Sequence, residues 1–177
     1  MRSCRLVAAL LAVVAVLLAG CAKDGVEPQE WAGRVCEALQ PWSQEIATLT
    51  QDTQKQMSKA TSPKQAKTHL VALLRGAQDA SEDARRGVRA AGVPAVDDGQ
   101  QIADRFLAAL KAARDSYAKA RKTVEHLSVE DTDAFYDGVV EAMDSLSKDY
   151  NAGALDTEHL SSEDLQQAFD TAPECQG

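Results

Sequence analysis

The sequence predicts an all-α fold, an up-down four-helix bundle with a kinked first helix and a short C-terminal helix. Large apolar residues recur at steps of three and four through four long segments, the spacing of one helix face. No segment sustains the apolar–polar alternation of a half-buried strand. The breaks between the segments are short, which favours antiparallel neighbours.

The first helix is expected from about Gln29 to Met57. Trp31, Val35, Leu39, Trp42, Ile46 and Leu49 form its stripe, with Cys36 beside it. Pro41 has no N–H and crowds the preceding turn, so the chain should kink near Gln40. Ser62-Pro63-Lys64-Gln65 starts the second helix: Ser62 caps, Pro63 fits the first turn and Gln65 reaches back. Its stripe runs through Leu70, Leu73, Leu74, Ala77, Ala84 and Val88, and Gly92 with Pro94 ends it. Asp97 and Asp98 open the third helix, whose heptad is the cleanest in the chain: Ile102, Phe106, Leu110, Ala113, Tyr117, Ala120, Val124 and Leu127. The fourth begins between Ser128 and Asp133, presents Phe135, Val139, Met143, Leu146 and Tyr150, and stops near Gly153. A short fifth helix follows Ser161 and carries Leu165 and Phe169.

Ahead of these elements, Arg2 and Arg5 precede an unbroken apolar run, Leu6 to Leu18, followed by Ala19-Gly20-Cys21. This is the three-part layout of a secretory signal. The run falls short of the roughly 20 residues of a stable membrane span. Leu18-Ala19-Gly20-Cys21 resembles the lipobox of bacterial lipoproteins. That resemblance implies cleavage between Gly20 and Cys21, with a diacylglycerol group (acyl chains of the palmitate type) on the Cys21 thiol. Two acyl chains on one residue suffice for stable anchoring. The expected organisation is a signal peptide over 1–20, a tether over 21–28 and a helical domain over 29–177. The expected location is the outer face of the cytoplasmic membrane, where covalent lipid is the membrane contact.

Removing the first 20 of 177 residues leaves 157, enough for one sizeable core. Loss of Arg2 and Arg5 takes the formal charge from −8 to −10. An acidic chain of this kind is a poor partner for nucleic acid. Cys4 leaves with the signal and Cys21 takes lipid, so Cys36 and Cys175 remain, and in an oxidising compartment they are expected to pair.

Candidate chemistry is sparse. His69, His126 and His159 lack a His partner at i+3 or i+4, and two lone cysteines make no zinc set, so no metal or cofactor is expected. Counted from Asp131, a calcium loop would need Gly where Tyr136 stands and Glu where Ala142 stands. There is no Gly-x-Ser-x-Gly, no Walker loop and no His-Glu-x-x-His. The basic residues of the third helix, Lys111, Arg114, Lys119, Arg121 and Lys122, are expected to pair with Asp133, Asp137, Glu141 and Asp144 of the fourth. Trp31 and Trp42, on one stripe, are candidates for lining a pocket for an apolar or glycan ligand, though such residues are more often simply core.

The body resembles the small secreted helical lipoproteins of actinobacteria. The stretch Ala91-Gly92-Val93-Pro94-Ala95-Val96-Asp97-Asp98-Gly99-Gln100-Gln101-Ile102-Ala103 carries the resemblance, with Trp31, Cys36 and Glu174-Cys175. It implies a lipidated extracytoplasmic protein and no particular activity. The expectation is a non-enzymatic interaction module that meets an envelope protein. The alternative is a carrier holding an apolar ligand between helices near Trp31, Trp42 and Pro41. A cavity above about 300 Å³ would favour the carrier, and a filled core the module.

Overall fold

The structure, a computed structural model, describes residues 25–153 and 162–176. Gly20, Cys21 and the signal segment lie outside the described residues. The chain is all-α: α1 Pro28–Met57, α2 Pro63–Ala91, α3 Gly99–His126, α4 Thr132–Ala152 and α5 Glu163–Thr171, then a 3-10 turn over Pro173–Cys175.

Each start has a local cause. Glu27 Oε2 accepts the Glu30 N–H, Ser62 Oγ the Gln65 N–H, Asp131 the Ala134 N–H and Ser162 the Leu165 N–H, so four helices begin on side-chain caps. Gln65 reaches back one residue further than a capping box would, to the Thr61 N–H at 2.8 Å. Asp98 makes no side-chain cap: it sits at φ 56° and turns the chain into Gly99. Pro41 is accommodated within α1, which runs on through it as one helix.

Successive long helices are antiparallel. A Cβ at Gly76 would lie 2.8 Å from Leu49, and one at Gly87 2.7 Å from Ala38, which sets the α1–α2 register. Lys67 to Leu127 and Arg114 to Glu82 set α2–α3, and Lys119 to Asp149 sets α3–α4. Among the described residues α1 and α4 do not meet at the backbone; α5 and the 3-10 turn pack on α1 instead.

The core divides along the bundle axis. Trp31, Val35, Val88, Ile102, Phe106 and Leu165 fill the end where α1 starts. Leu70, Leu74, Ala120, Val124 and Ala142 fill the other, flanked by half-buried Met57, Tyr117, Val139, Met143 and Leu146. We call these the proximal and distal ends. At the proximal end, Cys36 and Cys175 form a disulfide with Cα atoms 5.2 Å apart, and Gln40 Nε2 donates to the Glu174 carbonyl.

One sequence expectation fails here. The segment read as a tether to Pro28 is built into the fold from Gly25 onward. Val26 N–H donates to Val93 O, and Ala95 N–H donates to Val26 O, each at 2.7 Å. Val26 and Pro94 thus form an isolated parallel bridge. Gly25 stands at φ 149°, and a Cβ there would come within 2.8 Å of Val93 O. A side chain at this position would be strained and would strike the turn. The segment therefore has a docking place, where a free linker would have none.

Candidate functional site

The two tryptophans separate. Trp31 is 0% exposed, with its ring edge-on to Phe106 and Phe169 at centroid distances of 5.3 and 5.9 Å. Its Nε1 donates to Gly92 O at 2.9 Å, which satisfies the one polar group a buried indole brings. Trp31 is therefore core, the commoner of its two readings, and its candidacy for a pocket wall is corrected. Trp42 is half-buried, and its Nε1 donates to Ser81 Oγ at 3.0 Å.

Trp42 forms one wall of a groove of about 550 Å³ between α1 and α2, with Ala38, Pro41, Ala80 and Ala84. Glu37, Glu45, Asp79 and Asp83 rim it. A second groove of about 650 Å³ lies at the distal end, floored by Val71, Ala72 and Val129. Lys64, Lys67, Arg75 and Glu125 rim that one. Both volumes exceed the threshold above, but both grooves open to solvent. The core beside Trp31 is filled by its aromatic neighbours.

The charge pairing differs from the sequence expectation. Arg114 bonds Glu82 of α2 at 2.9 Å and Asp115 at 2.6 Å, Arg121 bonds Glu125, and Lys111 bonds Asp115. Among the described residues, the ion pair between these α3 cations and α4 is that of Lys119 with Asp149, at 2.6 Å. The reason is geometric: α2 presents Glu82 to the flank of α3 that carries Arg114. Glu82 accepts from both Arg85 and Arg114, and these bonds hold its carboxyl down to about 2 against the opposing effect of burial.

Consequently Asp133, Asp137, Glu141 and Asp144 face solvent along α4. Tyr136 (39% exposed) and Val140 (59%) stand among them, the exposed large apolar side chains of the described residues. Phe135 anchors the inner side of the same turn and touches Tyr136 at a centroid distance of 5.1 Å. A sequence signal for this face exists: Phe135–Tyr136 and Val139–Val140 are adjacent pairs, and successive side chains on a helix point about 100° apart, so each pair spreads beyond a narrow packed stripe.

Among the described residues no catalytic constellation emerges. Two Ser-x-x-Lys spacings occur, Ser116 to Lys119 and Ser145 to Lys148. Ser116 is buried with its hydroxyl on Ala112 O, and Lys119 is engaged by Asp149, so the first spacing makes no nucleophile–base pair. Among the described residues no three His, Cys, Asp or Glu gather as a metal set. His126 Nδ1 lies 2.6 Å from Lys122 O, and His159 is outside the described residues. Among the described residues no helix is long and apolar enough to cross a membrane. Comparison with family models, curated proteins and solved structures gives no match.

Proposed function

We propose that this protein is a lipid-anchored extracytoplasmic interaction module, acylated at Cys21, whose helical body presents the outer face of α4 to an envelope protein. One observation carries the reading: Tyr136 and Val140 are exposed within a row of solvent-facing carboxylates on a helix that α1 leaves uncovered. Aromatic side chains exposed within a polar surround suit a protein contact better than catalysis. The carboxylates favour a partner with a basic surface.

The test is a photo-crosslinker at Val140, and separately at Gln101, in cells that make the protein with and without Cys21→Ser. A defined protein adduct at Val140, absent at Gln101 and lost with Cys21→Ser, is the expected result. Adducts of the same pattern at both positions would sink the reading.

The carrier remains a second reading because of the Trp42 groove, whose apolar wall is large enough for an acyl or aromatic group. It predicts a lipid or small molecule that co-purifies and changes Trp42 fluorescence. A Trp42→Phe variant that still carries the compound at the same yield would remove the groove from consideration.

A further inference from the structure

The Val26–Pro94 bridge fixes where the chain leaves the bundle. Ala22, Lys23 and Asp24 alone separate Cys21 from Gly25. Fully extended, that stretch reaches at most about 14 Å. Gly25 in turn lies against Val93 and Ala95 in the α2–α3 turn. A lipid on Cys21 would therefore draw one end of the bundle, and no other, to the membrane surface.

We infer that the bundle stands end-on to the membrane, with the Gly92–Asp98 turn facing the lipid headgroups and the Tyr136–Val140 face turned away. The inference rests on the acylation of Cys21 proposed above. Three observations argue for end-on over side-on. The short link and the double hydrogen bond at Val26 leave little freedom for the proximal end to move off. The exposed carboxylates of Asp133, Asp137, Glu141 and Asp144 make anionic headgroups repel the α4 flank of the bundle. The exposed large apolar residues that could wet an interface, Tyr136 and Val140, sit near the start of α4, at the distal end. With α3 spanning 28 residues, that end stands about 42 Å from the turn.

The experiment uses the full-length acylated protein in vesicles of phosphatidylcholine and phosphatidylglycerol containing a spin-labelled headgroup. A fluorophore is introduced at Gln101 or at Glu130 as a non-native amino acid, which leaves the disulfide untouched. Both positions are exposed, at opposite ends of the bundle. Quenching severalfold stronger at Gln101 than at Glu130 is expected. Equal quenching, or a reversal, in protein shown by mass to be acylated at Cys21 overturns the orientation and leaves the anchor standing. Protein with no acyl mass on Cys21 overturns both. A long Gly-Ser linker inserted between Asp24 and Gly25 should keep the protein on the vesicle and erase the contrast. A contrast that survives the linker means the short stretch does not set the orientation.

Discussion

The two ends of this bundle are built differently. At the proximal end every element is tied to another chemically distinct one. Trp31 joins α1 to the α2–α3 turn by a hydrogen bond and to α3 and α5 by ring contacts. The disulfide joins α1 to the 3-10 turn, and Val26 joins the entering chain to Val93 and Ala95. At the distal end the buried cluster is small, Leu70, Leu74, Ala120, Val124 and Ala142, and α4 buries only Phe135 and Ala142 fully. Tyr117 and Tyr150 meet there at a centroid distance of 6.2 Å with their rings half-buried. Rigidity is thus concentrated where the chain enters, and exposed apolar surface where a partner could reach. Elements with few buried contacts open first, so α4 is the region most free to adjust.

The largest test of that contrast is Trp31→Ala. It removes a fully buried indole and leaves Phe106 and Phe169 facing a void. A loss of about 3–5 kcal/mol is expected from urea unfolding, the cost of truncating a large aromatic in a packed core. A loss under about 1 kcal/mol would mean the proximal end is less cohesive than its contacts suggest. Next comes Cys36→Ser with Cys175→Ser. These residues are 139 apart in sequence, and closing so long a loop restricts the unfolded chain. A cost of about 2–4 kcal/mol is expected, with α5 amides showing the greatest rise in hydrogen exchange.

A smaller effect should appear in alkali. Burial pushes Tyr117 up to about 12, with Tyr150 adding to it, and raises Tyr150 as well. Both values lie above those of the unfolded chain, so this stabilisation is full below about pH 10 and fades as pH climbs towards 12. Tyr117→Phe should flatten that decline, followed by circular dichroism at fixed urea. A decline of unchanged steepness would place the alkaline weakness elsewhere. The smallest change belongs to Tyr136→Ser with Val140→Ser. Both side chains are exposed, so stability should move by less than about 0.5 kcal/mol each. A larger drop would show that this face is packed in solution and that the two ends differ less than described.

Much of the fold was legible before any coordinates. Ser62-Pro63, Gly92 with Pro94, and the three-and-four spacing of α3 state local preferences, and the helices begin and end within a few residues of those signals. The Cys36–Cys175 pairing followed from there being two cysteines left to pair. What failed were relations between distant segments. A lone residue such as Val26 carries no strand alternation, so its bridge to Pro94 leaves no periodic trace. Likewise Arg114 cannot announce whether α2 or α4 will supply its carboxylate, because both neighbours carry acids at helical spacing. The exposed pair Tyr136 and Val140 was half-visible, since adjacent bulky residues on a helix must diverge. Which of them would be left uncovered depended on α1 and α4 failing to meet.

The disulfide also gives the chain an uncommon topology. Residues 36 to 175 form a closed ring, and residues ahead of Cys36 form a short stem that leads back to Cys21. A single backbone cut anywhere inside the ring opens it into two arms that both remain covalently joined to the stem. A protease that nicked the α4–α5 connection would leave every helix covalently attached to the same stem. Loss of a helix would demand a second event, either reduction of the sulfur bridge or another cut, so one nick inside the ring would not by itself split the molecule.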